Sequence, residues 1–88
     1  MSIHKSLKLK NTLQRQRSVL TRWERIEKLT PREREVMNWV VEGLTNSQVA
    51  GHLGISSRTV EAHRANLMAK TKTSSIAELV QLVMLATA

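Results

Sequence analysis

Asn46–Ala65 reads NSQVAGHLGISSRTVEAHRA, and its spacing decides the fold. Two short helices that meet at a steep angle need a small residue where their backbones approach, and Ala50 stands there. They need a residue tolerant of positive φ at the corner, which Gly54 supplies. The second helix needs an apolar anchor facing the first, and Val60 provides it, with Val49, Leu53 and Ile55 alongside. Ala-x3-Gly-x5-Val is the spacing of a DNA-binding helix-turn-helix. An ordinary corner between two helices has similar needs, so the spacing alone leaves both readings open.

Outward from this pair the chain is punctuated by helix caps. Thr30-Pro31-Arg32-Glu33 places a hydroxyl at an N-cap, proline at the first helical position and glutamate where a capping box requires it. Val36, Met37, Trp39 and Val40 then form an apolar stripe that Gly43 can stop. Thr45-Asn46-Ser47-Gln48 is a second capping box, and its helix ends at Gly54. Ser56 caps a third helix, expected from Ser57 to about Lys70. Ser75-Ile76-Ala77-Glu78 is a further capping box, opening a helix that runs almost to Ala88. Four capped helices with short connections and no strand candidate predict an all-α fold. Leu13, Val19, Leu20, Trp23, Ile26 and Leu29 have helical spacing, so a helix is also expected from about Leu13 to Lys28, with residues 1–10 frayed. The division expected is a basic amino-terminal segment or linker helix over 1–29, then a domain over 30–88.

Composition narrows the chemistry. The 88 residues contain no cysteine, so there is no disulfide, thiolate nucleophile or zinc-thiolate site. There is no aspartate either, which removes the Ser-His-Asp triad and any aspartyl phosphoacceptor. Trp23 and Trp39 are the only aromatics, a poor platform for stacking single-stranded bases. His4, His52 and His63 are not spaced as helical metal ligands. No cofactor, metal site or catalytic residue is expected, and the chain is not expected to be an enzyme. The longest apolar run, Leu82–Ala86, is far too short to span a membrane, and the amino end does not resemble a secretory signal. The expectation is a small, soluble, basic, cytoplasmic domain with a polyanion among its partners. Its net charge is +7, most of it in residues 1–29, where eight basic side chains face two acidic ones. Residues 30–88 are nearly balanced, with six basic and five acidic side chains, so bulk charge does not show where a polyanion would sit.

The segment LTPREREVMNWVVEGLTNSQVAGHLGISSRTVEAHRANLMAKTKTSSIAELVQLV resembles the LuxR-type helix-turn-helix domain, especially its FixJ/NarL response-regulator branch. The resemblance runs from about Leu29 to Leu85, through LTPREREV, GLTNSQVA and ISSRTVEAHRANLMAK in order and without a gap. It implies a four-helix domain with its helix-turn-helix over 46–65. The third helix, 57–70, would enter the major groove of double-stranded DNA and the fourth would form a homodimer. It implies a bacterial transcription regulator, nucleoid-associated when bound, that meets RNA polymerase as a further partner. Such regulators are commonly switched by a separate phosphorylated receiver domain, to which the amino segment would be the linker; a free-standing LuxR-type regulator is the other reading. Thr71 and Thr73 stand where the family usually has leucine and valine, which predicts a looser connection to the last helix or a slightly shifted boundary. Ser47 stands where many members have lysine, which predicts one phosphate contact fewer.

A helical wheel selects the reading surface independently. With Val60 facing the core, Leu67 and Thr71 follow it inward, while Arg58, Ala62, Ala65 and Ala69 point away and Glu61 and Asn66 flank them. Arg58 can donate to guanine or phosphate, Glu61 can accept from cytosine N4, and the methyls of Ala62 and Ala65 can meet thymine. By resemblance, Glu61, Ala62 and Ala65 face bases; the other reading is that the alanines only permit close approach. Helix amino ends favour phosphates, which nominates Thr45, Asn46, Ser57 and Thr59 for the DNA backbone, with Asn66 and Lys70 beside them. Arg64 lies too far inward to read bases and is expected to pair with Glu35 or Glu33, with phosphate contact as the alternative. The last helix is apolar on both sides, so one side is expected to meet a second copy, with Val80, Val83 and Met84 as candidates. The alternative is a wholly internal helix covered by the segment around Trp23 and Ile26. The competing function is a helical bundle whose basic tail docks an acidic partner or a membrane surface.

Overall fold

In the computed structural model, residues 21–87 are described, and every regular element among them is an α-helix. Helix α1 occupies residues 21–27, α2 Pro31–Val41, α3 Asn46–Leu53, α4 Ser57–Thr71 and α5 Ile76–Thr87. The expected start of the first helix, the fraying of residues 1–10 and the last residue of the chain lie outside the described residues.

The caps form locally, because each is closed by neighbours in sequence. The Glu33 N–H donates to Thr30 Oγ1 at 3.1 Å, and the Thr30 N–H donates back to Glu33 Oε1 at 2.9 Å. Thr45 and Gln48 close the same reciprocal pair at 3.2 and 2.9 Å. At α5 the box is only half made. The Glu78 N–H donates to Ser75 Oγ, but the Glu78 carboxylate turns one residue further back and accepts from both the N–H and the hydroxyl of Ser74. Those two bonds, the backbone one foremost, hold the Glu78 carboxyl below its ordinary value.

Helix ends follow glycine twice and fail to once. Gly43 (φ +95°) lets the Leu44 N–H reach Trp39 O, and Gly54 (φ +67°) lets the Ile55 N–H reach Ala50 O. Both are the six-to-one closure of a left-handed helix stop. Helix α4 ends in the same way, with the Thr73 N–H on Met68 O, yet its left-handed residue is Lys72 at φ +56°. A side chain there costs about 1 kcal/mol, which the tertiary contacts of this turn must offset. No glycine marks the stop, so the helix runs one residue beyond the expected Lys70.

The core draws on all five helices. Val36, Met37 and Val40 of α2, Val49 and Ala50 of α3, and Val60 and Leu67 of α4 are buried together. From the two ends of the described chain come Ile26 and Leu29, then Leu79, Leu82 and Ala86. Helix α2 packs on α3, α4 and α5, and α3 packs on α4. His52 of α3 stacks on Trp39 of α2, with ring centroids 4.5 Å apart and planes 5° from parallel.

The connection before α5 is tighter than its polar residues suggested. Thr71 is fully buried, and its hydroxyl donates to Leu67 O at 2.8 Å while also meeting Thr73 Oγ1 at 2.9 Å. Each threonine satisfies the other, so polar side chains replace apolar ones without leaving an orphaned group.

Candidate nucleic-acid interface

The surface of α4 divides cleanly. Val60, Leu67 and Thr71 are fully buried, whereas Arg58, Glu61, Ala62, Ala65, Asn66 and Ala69 are exposed. The exposed set lies along one side of the helix, and its first four members carry one cation, one carboxylate and two methyl groups. Small side chains at Ala62 and Ala65 leave the backbone free to approach a partner closely, while Arg58 offers a donor group and Glu61 an acceptor group on the same exposed side.

The amino ends of α3 and α4 add anion-binding capacity. In each, the cap takes the third N–H: Thr45 Oγ1 accepts from Gln48, and Ser56 Oγ accepts from Thr59 at 3.0 Å. The N–H groups of the two preceding residues, Asn46 and Ser47 in α3 and Ser57 and Arg58 in α4, are not used within their helices. Thr45, Ser47, Ser57 and Thr59 are exposed, and Asn46 is half-buried.

Two ionic contacts differ from the expected pairing. The Arg64 Nη1 donates to Asn46 Oδ1 at 2.8 Å rather than to a glutamate. The bond occupies the Asn46 amide oxygen and leaves its NH2 group as the outward donor. Glu33 is paired with Lys70 instead, Nζ to Oε1 at 2.6 Å, and Glu35 pairs along its own helix with Arg32 at 3.2 Å. The reason is the crossing of the helices. Arg64 sits where α4 passes the amino end of α3, and the amino end of α2 lies beside α4 only six residues later, about 9 Å along the axis. The Lys70 charge is thus largely compensated by a buried carboxylate. Lys72, exposed at the left-handed turn, has no such partner among the described residues. These pairings were invisible in sequence, because 37 residues separate Glu33 from Lys70.

Glu33 has two duties. One oxygen, Oε1, completes the cap of α2 and anchors α4, and its side chain is only 5% exposed. The Lys70 ammonium, then the Thr30 N–H, hold its carboxyl below the ordinary 4.5 in spite of its burial.

The last helix turns Leu79, Leu82 and Ala86 inward and packs Val83 and Ile76 partly against the core. Met84 is 63% exposed and Leu85 42%, while Val80 is half-buried between the two faces. Ile26 joins the core and Trp23 is 41% exposed, but with Met84 and Leu85 in the open α5 is not a wholly internal helix. Among the described residues no helix is long and apolar enough to cross a membrane, and no three or more His, Cys, Asp or Glu side chains gather as they would around a metal ion.

A capped helix pair closed by a left-handed glycine, with its second helix bare along one side, defines a helix-turn-helix domain of the DNA-binding kind. Residues 27–83 match the family described as bacterial regulatory proteins, luxR family, and the chain belongs to that family. It is 51% identical over 63 residues to the transcriptional regulatory protein FixJ of Azorhizobium caulinodans, covering 72% of this chain and 30% of that one. It is 44% identical over 55 residues to the tetrathionate response regulatory protein TtrR of Salmonella typhimurium, covering 62% and 27%. Among solved structures it resembles full-length FixJ from B. japonicum, with a TM-score of 0.71 and 40% identity over 81% of this chain and 36% of that one. It also resembles the response regulator StyR, with a TM-score of 0.74 and 34% identity over 93% and 40%. The chain therefore spans about a third of the length of these relatives. Residues 27–83 are thus a luxR-family helix-turn-helix domain of the FixJ/NarL kind.

Proposed function

We propose that the chain is the output part of a bacterial response regulator and works by occupying a specific duplex site rather than by catalysis, in the cytoplasm. Helix α4 enters the major groove, with Arg58, Glu61, Ala62 and Ala65 against base edges. Thr45, Asn46, Ser57, Thr59 and Asn66 meet the flanking phosphates, and Lys70 adds little while Glu33 holds it. Residues 1–29 serve as the linker side and 30–88 as the DNA-binding domain. The observation that carries this reading is the asymmetry of α4: one side fully buried, the other exposed with small and hydrogen-bonding side chains. The FixJ and TtrR names, a transcriptional and a response regulatory protein, support it. RNA polymerase is a further partner by resemblance to the family.

The test is selection from a randomised duplex library, followed by titration against salt. A consensus should emerge and resist excess random competitor, with affinity falling as salt rises by about 0.9 in log slope per phosphate contacted. Binding that no sequence can enrich would support a non-specific basic bundle instead.

Pairing on DNA is proposed to use the outer side of α5, with Met84 and Val80 central and Val83 nearer the core. A two-fold pair would place two recognition helices about one turn apart on an inverted repeat. Met84→Glu should leave half-site affinity within about a factor of two, since an exposed substitution costs little folding energy, and should remove cooperativity on the full repeat. Gel shift on half and full sites, with sedimentation, reads the outcome. Unchanged cooperativity would exclude this face.

A further inference from the structure

The recognition helix ends where α1 touches it. The carbonyl of Thr71, the last residue of α4, accepts from Arg25 Nη1 at 2.9 Å across 46 residues of sequence. Helix-final carbonyls lack an intrahelical donor, and a cation beside them also suits the helix dipole. Helix α1 is closed from the other side, where Arg34 Nη2 of α2 donates to Ile26 O at 3.1 Å. Arg25 Nε is buried with no hydrogen-bond partner, so this guanidinium is held at a desolvation cost that a surface arginine avoids. Arg25 also lies just ahead of the span 27–83 that matches the family.

We propose that Arg25 is a positioning residue for DNA recognition. Through the Thr71 carbonyl it ties the last turn of α4 to α1, so the placement of α1 sets the angle at which α4 meets the groove. The proposal rests on the DNA-binding reading above. Its leverage is geometric. Ala62 and Thr71 are separated by about 14 Å of helix, so a tilt of roughly 10° displaces one end by about 2 Å, enough to break a hydrogen bond to a base edge.

The experiment uses the full chain and three variants, Arg25→Met, Arg25→Lys and Arg22→Met. Arg22 and Arg25 line one open cleft with Lys72 and Thr73, so Arg22→Met removes an equal charge at the same place without removing the bond to Thr71. Three readouts are taken: amide hydrogen exchange at Lys72 and Thr73, affinity for a duplex selected by the unaltered chain, and affinity for a random duplex. Arg25→Met should speed exchange at both amides by about tenfold and lower the ratio of selected to random affinity by about tenfold. Arg22→Met should weaken both duplexes alike and leave exchange unchanged. Arg25→Lys, which keeps the charge and a donor, should restore part of the ratio, and it replaces Arg25→Met if circular dichroism shows that variant unfolded. Unchanged exchange in the Arg25 variants, or an equal loss of ratio in Arg22→Met, would overturn the proposal. If the unaltered chain selects no duplex, the functional reading falls together with the recognition role, whereas a failed tether with selection intact overturns this inference alone.

Discussion

Replacing Ala62 with leucine is expected to abolish or redirect sequence-specific DNA binding while leaving the fold intact. Ala62 is exposed in the middle of the reading side of α4. Leucine is a good helix former, and a surface change of this kind shifts stability by no more than about 0.5 kcal/mol. At the interface, however, the added carbons would occupy the space through which the helix backbone approaches the base edges. Each base pair whose match is lost costs about 1–3 kcal/mol, so a clash spanning one or two pairs lowers specific affinity by roughly tenfold to a thousandfold or more. Random duplex should be bound nearly as before, because the proposed phosphate contacts lie at the amino ends of α3 and α4. Selection from a randomised library with the variant and the parent side by side measures the change. The same consensus at the same affinity would mean that Ala62 does not face a base.

Glu33→Ala should produce the largest loss of stability among the polar positions, about 2–3 kcal/mol, or roughly 10–20 °C in Tm for a domain of this size. The change removes half of the α2 cap and leaves the Lys70 ammonium without its buried carboxylate. The figure stays below that of a fully buried pair because the Lys70 side chain is 37% exposed and can turn to water. Glu33→Gln separates the charge from the shape, since the amide oxygen can still accept from the Thr30 N–H. The parent carboxyl is held below its ordinary value by the Lys70 bond first, so its stabilisation is complete above pH 4.5 and is lost as pH falls through the folded value. The stability gap between parent and Glu33→Gln should therefore be full at neutral pH and shrink in acid. A gap independent of pH would mean that the Lys70 pair contributes no stability through charge.

The parts legible in sequence were those whose causes lie within one or two helical turns. Thr30 with Glu33, and Thr45 with Gln48, announce helix starts because both partners of each cap are three residues apart. Gly43 and Gly54 announce helix stops because the left-handed conformation is cheap only without a Cβ. The burial of Val60, Leu67 and Thr71, and the exposure of Ala62 and Ala65, follow from the helical period alone. Where the local cause was ambiguous the reading slipped by a residue or a partner. The Glu78 carboxylate reached back to Ser74 rather than to the Ser75 N–H, and α4 ended at Thr71, before a left-handed Lys72 with no glycine to mark the place.

By itself, then, the sequence determined the helices, their capped starts, the corner between α3 and α4, and the side of α4 that faces outward. Only the tertiary structure decided which charges meet. Arg64 went to Asn46, Lys70 to Glu33 and Arg25 to the Thr71 carbonyl, over separations of 18, 37 and 46 residues. It also decided that α5 buries Leu79 and Leu82 and leaves Met84 in the open. The physical reason is one of range. Hydrogen bonds within a helix and the spacing of apolar side chains are set by the local chain, whereas a long cationic side chain can satisfy itself with any acceptor in reach, and the crossing of the helices determines which acceptor that is.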